Sequence, residues 1–482
     1  MRKNNLHPPM KLPQVFIEQT KKNIGAASFE KLVAALQQET PISVRFNEAK
    51  ITKETYSEKY LPVNWAKTGA YIPLRPTFTF DPLFHAGCYY VQEAASMFLE
   101  QAIQQYVSSD CIALDLCAAP GGKSTHLISL LSSNSLLVSN EVIRVRSRIL
   151  AENMIKWGRP NVVVTNNDPA DFKALPSFFD LIVADVPCSG EGMFRKDPAS
   201  IAEWSAENVA ICAQRQRRIL TDVWDSLKPG GLLIYSTCTY NLAENEQNIA
   251  WLMEQFSAEP LPLTIPDSWN VTGNLIDAAI PVYHFFPHKT TGEGFFLAVL
   301  RKPLSSVAAL HLSARKKADK RAKKNMKREK QESCPAEIVN WLQTPEAYLI
   351  TNQMGRVTAF PRCHSSLLEQ LKTLRILHAG IELATIKGKS LSPAHGLAMS
   401  TQLSPTAFAR IELSFSQALS YLRKESFAVS DTAPKGYLLL TFNGIPLGFS
   451  KNIGNRVNNL YPNEWRIRSG YTPNEIRCLL SK

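Results

Sequence analysis

The apolar positions of this chain change period along its length. Between Leu83 and Arg301, short β-rich runs ("CIALDL", "SLLVSN", "NVVVTN", "FDLIVADV" and "GLLIYST") alternate with longer stretches of helical spacing. Alternation of this kind predicts βαβ units and a mostly parallel sheet with helices on both faces, an α/β Rossmann-like core. Ahead of it, "VFIEQTKKNIGAASFEKLVAALQQ" has helical spacing and "PISVRFN" reads as a short strand, which predicts a small α+β extension. Beyond Glu337 the pattern is mixed and ends in "GYLLLTFNGIPLGF", with Gly444 and Gly448 as turn signals. That predicts a separate small α+β or β domain. The longest apolar runs fall far short of a bilayer span. The basic start "MRKNNLHPPMKLPQVF" has no apolar stretch of the secretory kind.

Composition sharpens the picture at three points. A chain of 482 residues, 45% apolar, is too long for one ordinary core, so about two to four domains are expected. Its nine cysteines are dispersed and form no CxxC, which gives no sign of a structural zinc site or a redox pair. Such usage fits reduced thiols in a cytoplasmic protein. The net charge of +12 is uneven. Residues 315–330, "RKKADKRAKKNMKREK", hold ten Lys/Arg and two acids. A solvated tether would read this way, but so would an arm that tracks a polyanion, and the density favours nucleic acid.

The chemistry concentrates at strand ends. "CIALDL" runs into "CAAPGGKSTHL", a strand, a glycine turn and a helix start, the arrangement that cradles a nucleotide-like ligand. The ending "GGKST" suggests a phosphate-binding P-loop and so an ATPase. That fingerprint fails at its first glycine, where Cys117 stands, and Pro120 removes one backbone donor. Glu141 follows the second strand, where an acid accepts from ribose hydroxyls. Asp168 follows the third, within reach of an adenine amino group, and Asp185 ends the fourth. Any one could be a loop acid or helix cap. Three in succession beside a glycine turn point to an adenosine-containing cofactor without a triphosphate.

Two cysteines lie just past apolar runs, Cys188 in "DVPCSGEGMF" and Cys238 in "STCTYN". A cysteine within an apolar run is usually core, but these sit in polar turns. Carbon-5 of a cytosine is a poor nucleophile. A thiolate adding at carbon-6 makes it electron-rich enough to take a methyl group, and a base must then remove the carbon-5 proton. An acid near ring nitrogen-3 helps the adduct form, and Asp185 is placed for that. The residues alone do not say which thiol attacks.

"DLCAAPGGKS", "DVPCSGEGMFRKDP", "STCTYNLAENE" and, before the first strand, "GCYYVQEAASM" resemble, in order, the motifs of the RNA cytosine-5 methyltransferase family. The match covers about residues 80–302. The basic segment and "GIPLGFSKNIGNRVNNLYPNEWRIRS" are similar to bacterial members that act on small-subunit ribosomal RNA and end in a PUA-like domain. The resemblance implies an S-adenosyl-L-methionine-dependent methyltransferase core with a small N-terminal α+β extension. It implies cofactor contacts from Cys117, Ala118, Ala119, Pro120, Gly121, Gly122 and Lys123, with Glu141 on the ribose, Asp168 on the adenine side and Asp185 between methyl donor and base. It implies attack by Cys238, and proton removal and product release through Cys188.

The expected domains are 1–78, an RNA-binding-like extension; 79–303, catalytic; 304–335, a basic linker; and 336–482, with the PUA-like domain. The expected substrate is a cytosine of 16S ribosomal RNA near the decoding centre, within the 30S subunit or its precursor. No metal and no membrane are expected, and a monomer is. Transfer RNA or another ribosomal site is the alternative target. A different class of alternative is an RNA-binding module on an inactive methyltransferase scaffold, which has no use for intact Cys188, Cys238 and Asp185. Lys451, Arg456, Arg466 and Arg468 around Trp465 suggest a surface for phosphate contact and base stacking.

Overall fold

A computed structural model describes residues 10–304 and 334–480, apart from 389, 431, 472, 474 and 475. The basic run 315–330 lies outside the described residues. A nine-stranded sheet organises the centre. Its strands in chain order are β1 (Ile112–Asp115), β2 (Leu136–Asn140), β3 (Val162–Thr165), β4 (Phe179–Asp185), β5 (Leu227–Thr237), β6 (Glu259–Pro260), β7 (Tyr283–Phe285), β8 (Phe295–Arg301) and β9 (Ile376–Ala379). The spatial order is β6-β8-β5-β4-β1-β2-β3-β9, with β7 also on β8. The five strands from β5 to β3 run parallel, and β8 returns antiparallel beside β5.

Period-2 alternation sends successive side chains to opposite faces. Ala113, Leu181, Val183 and Ile234 enter one apolar layer with Leu127, Leu150 and Trp157. Leu114, Ile182, Ala184 and Leu233 enter the other with Ile219, Leu220 and Leu252. Helices cover both faces: α1 (Gly122–Leu130) and α2 (Arg144–Trp157) on the first, α3 (Ala206–Trp224) and α4 (Glu246–Phe256) on the second. Helix α3 starts at Ser205, whose hydroxyl accepts from the Asn208 N–H, and buries Val209, Cys212, Gln216, Ile219, Leu220 and Val223 at helical spacing. Among the described residues no helix is long and apolar enough to cross a membrane.

The flanking regions are less separate than their composition suggests. The N-terminal helices Gln14–Ile24 and Ala26–Leu36 bury Phe16, Phe29, Leu32 and Leu36 against Phe194, Trp204 and Tyr240 of the central domain. The N-terminal four-stranded sheet includes Tyr89–Val91, paired with Ile42–Phe46, and so draws in a segment C-terminal to residue 78. Its core residues Val44, Phe46 and Tyr89 pack with Leu419, Tyr421, Leu440, Tyr461 and Leu479. The C-terminal half holds two four-stranded sheets rather than one small unit. It also lends β9 to the central sheet, where it covers the exposed edge of β3.

Candidate active site

The carboxyl edge of the sheet gathers every residue to which the sequence assigns chemistry. Asp115 ends β1 and the turn 117–123 follows it. The Ala118 N–H donates to the Asn140 carbonyl (2.8 Å), Arg146 Nη2 to the Ala119 carbonyl (2.7 Å) and Asn153 Nδ2 to the Pro120 carbonyl (2.7 Å). Gly121 takes φ 117°, a conformation L side chains rarely adopt, and starts α1. Ser124 Oγ donates to Asp115 Oδ2 at 2.7 Å, while the buried Oδ1 has no partner among the described residues. Burial pushes the Asp115 carboxyl up to about 7.

Glu141, just past β2, is buried. Its Oε1 accepts from the Ile143 N–H (2.8 Å), and Arg146 Nη1 stands 3.4 Å from its Oε2. Asp168 lies at the same edge and caps the turn Pro169–Ala174, accepting from the Ala170 N–H at 3.1 Å. Its other oxygen is 3.6 Å from Arg218. Capping thus holds one of its oxygens, as an ordinary loop acid would.

Strands β4 and β5 are neighbours with Asp185 opposite Ser236, so the turns that leave them converge. Lys123 Nζ sits 2.9 Å from Asp185 Oδ2, and Ser236 Oγ donates to Asp185 Oδ1 at 2.7 Å. Burial works against the Lys123 ammonium, but Asp185 outweighs it and the pKa is held above its ordinary value. Cys188 Sγ and Cys238 Sγ are 3.1 Å apart, and the Cys238 N–H points at Cys188 Sγ (3.3 Å). Contact with Cys238, burial and the nearby Glu244 raise the Cys188 pKa well above the usual thiol range. Cys117, the third thiol at this edge, is also pushed up, by burial and by the Asp115, Asp185 and Glu141 carboxylates.

Two buried carboxylates stitch the thiol turns together. Glu244, from the Cys238 side, accepts from the Ser189 N–H (3.0 Å), Gln216 Nε2 (2.7 Å) and Asn241 Nδ2 (2.7 Å). Glu191, from the Cys188 side, accepts from the Tyr240 N–H (2.9 Å) and Trp204 Nε1 (2.9 Å). Gln216 also donates to the Pro187 carbonyl at 2.9 Å. The Gly192 N–H donates to the Cys238 carbonyl at 2.9 Å, and a Cβ on Gly192 would lie only 2.8 Å from that oxygen. Sequence reasoning missed Asp115, Glu191, Gln216 and Glu244. The signal for the two glutamates was an acid within a few residues of each cysteine, inside segments already quoted.

Trp465 corrects one expectation. It is not a free stacking platform: it packs edge-on to His395 (5.0 Å) with Lys156 Nζ 5.1 Å from its ring. The indole is half-buried against the core shared by the first and last regions, while Arg466 and Arg468 are exposed.

A doubly wound sheet with a glycine turn, strand-end acids and paired thiols at its carboxyl edge defines a Rossmann-like methyltransferase. Residues 104–301 match the family 16S rRNA methyltransferase RsmB/F. Residues 12–94 match the N-terminal domain of 16S rRNA methyltransferase RsmF, and 408–467 the methyltransferase RsmF PUA domain. The ribosomal RNA small subunit methyltransferase F of Aliivibrio salmonicida is 31% identical over 96% of this chain and 99% of its own length. That of Salmonella arizonae is 31% identical over 95% and 97%. The chain belongs to the ribosomal RNA small subunit methyltransferase F family, and is an rRNA methyltransferase with a C-terminal PUA domain. A methyltransferase homologue from Pyrococcus horikoshii is 28% identical, with a TM-score of 0.52 over 61% of this chain and 96% of its own. NSun6 from Pyrococcus horikoshii, solved with SFG, shares the fold at 20% identity and a TM-score of 0.52, over 61% of this chain and 99% of its own.

Proposed function

We propose that this protein methylates carbon-5 of a cytosine in 16S ribosomal RNA, near the decoding centre of the 30S subunit or its precursor, through a covalent cysteine–cytosine adduct. The observation that carries this reading is the contact of two thiols beside a carboxylate at the ligand-binding edge of the sheet. The edge fits S-adenosyl-L-methionine as the methyl donor. Its adenosine hydroxyls, amino group and ammonium are donors and positive charge. The cradle offers the acceptors Asp115 Oδ1, which has no partner among the described residues, and Glu141, with a glycine turn that leaves room for backbone approach. The turn 117–123, Glu141 and Asp168 hold the cofactor, which supplies an electrophilic methyl group.

Cys238 forms the bond to carbon-6 as its thiolate. Asp185, aimed by Lys123 and Ser236, takes the cytosine amino group and ring nitrogen-3. Carbon-5, now electron-rich, accepts the methyl. Cys188 then acts as the base. Once Cys238 is bonded to carbon-6 it no longer holds the Cys188 proton in place, so that proton leaves to solvent and the Cys188 thiolate takes the carbon-5 proton. The carbon-5–hydrogen electrons restore the ring double bond and expel Cys238. Glu191 and Glu244 keep the two sulfurs in register, so the roles do not depend on loop motion.

The two cysteine variants should fail differently. With small-subunit rRNA as substrate, Cys188→Ala should trap a protein–RNA band that survives denaturing electrophoresis, and Cys238→Ala should give neither band nor product. The reverse pattern would exchange the roles of the thiols. Methylation intact in both variants would end the covalent reading.

A further inference from the structure

Among the described residues, fourteen large apolar side chains are exposed, and four of them crowd between Val142 and Ile149. A cluster of this density is not the single scatter expected of a soluble surface. Val142 adjoins Glu141 and the Ile143 N–H donates to its carboxylate, so both border the cofactor cradle and are set aside. The others form a pattern on α2. Val145 and Ile149 are four residues apart, and so are Arg144 and Arg148, which places an apolar column beside a basic one on the same exposed face. Val145 is 71% exposed. Arg144 and Arg148 have no ion pair or side-chain hydrogen bond among the described residues, whereas Arg146 between them is turned to Glu141 and the Ala119 carbonyl. The only acid on the helix, Glu152, is paired with Lys156 at 2.5 Å.

We infer that this α2 ridge, Arg144, Val145, Arg148 and Ile149, is a contact surface for the RNA strand flanking the target nucleotide. The inference rests on the RNA methyltransferase reading and adds where the strand runs. Charge selects the occupant. Two uncompensated guanidiniums repel both a second copy of the same ridge and the chain's own basic run 315–330, and attract a phosphate backbone. Arginine planes and aliphatic side chains also suit the faces of unstacked bases and riboses. Position agrees with this. The ridge follows β2 and Cys238 follows β5, three strand spacings away, or about 14 Å along one edge of the sheet. A few nucleotides span that gap, so a strand with its target base at Cys238 can lay its neighbours over α2. The arginines then set affinity and the apolar column sets register.

A photo-crosslinking residue at Val145 of the full-length protein, presented with small ribosomal subunits that lack the modification, tests this directly. The expected product is a crosslink to small-subunit rRNA, with far lower yield from the same residue at Met354, a fully exposed control. A crosslink only to a ribosomal protein, or equal yields at both positions, overturns the proposal. The double variant Arg144→Gln/Arg148→Gln gives a second readout. The slope of log affinity for the RNA against log salt should flatten by about 1.4, from ~0.7 per phosphate contact on a single strand, while affinity for S-adenosyl-L-methionine stays within about twofold. An unchanged slope sinks the surface alone if the wild-type protein methylates the RNA. A wild-type protein that does not methylate it sinks the underlying reading instead.

Discussion

The two halves of the site differ in how far the protein completes them by itself. Around the thiols, polar partners are supplied from within. Glu244 and Glu191 each accept from the opposite turn, and Asp185 is held by Lys123 and Ser236. Around the glycine turn 117–123, proposed to hold the cofactor, Asp115 keeps one buried oxygen without a partner among the described residues, and its carboxyl is pushed up to about 7. One half is organised before any ligand arrives. The other holds an electrostatic demand that a donor-bearing ligand answers. Chemistry that must place two sulfurs relative to one ring atom needs the first arrangement. Reversible binding, in which the ligand's own donors complete the site, is served by the second.

The largest effect should come from breaking the organised half. Glu244→Ala removes the acceptor of the Ser189 N–H and one of the acceptors of Gln216 and of Asn241. It should cost about 3 kcal/mol of stability and lower kcat by about 100-fold through misplaced thiols. KM for the cofactor should stay close to wild type, as measured by denaturant unfolding and steady-state kinetics. If cofactor KM rises instead, the halves are not separable. An intermediate effect belongs to Glu141→Ala, which should weaken cofactor binding by about 1–3 kcal/mol in calorimetry without changing the rate of Cys238 alkylation. Equal cofactor affinity in variant and wild type would remove Glu141 from the cradle.

The smallest effect on activity is the one that depends on pH. The Asp115 pKa is raised from 3.8 to about 7, so the native state holds this proton more tightly than the unfolded chain. The resulting stabilisation is fully present below pH 3.8 and is lost as pH rises through 7. Asp115→Asn removes the titration. Its melting temperature should therefore gain on that of wild type between pH 4 and pH 8, by roughly 4–8 °C without cofactor. A gap that does not change with pH would mean that the cradle carries no such demand.

Much of this was legible in the sequence for a physical reason. The cofactor turn, the strand-end acids and both cysteines lie directly after apolar runs, and local sequence fixes that position. The partners of the thiols were not legible as partners. Ser189 and Glu244 are 55 residues apart, and only the β4–β5 register brings them together. Asp115 stands inside the run "CIALDL" and passes for the end of a strand. Strand β9 pairs with β3 across more than 200 residues, a contact that no local pattern signals. Trp465 misled because an aromatic among arginines reads the same whether it faces solvent or a neighbouring domain.

The shared core of the first and last regions has a consequence in time. The N-terminal sheet is complete at Val91, but its apolar face is covered by Leu419, Tyr421, Leu440, Tyr461 and Leu479. Asp81, buried beneath it, accepts from both the Tyr89 hydroxyl and the Leu479 N–H. During synthesis that face waits for roughly 390 further residues, or about 20–80 s at translation rates of 5–20 residues per second. The central domain can fold within that interval, and the N-terminal helices that bear on its thiol turns can dock on it. The N-terminal sheet can only be held open until the last segment arrives to close it. This early-made sheet is therefore among the last parts to finish, and the nascent chain carries it with an exposed apolar face while those residues are added.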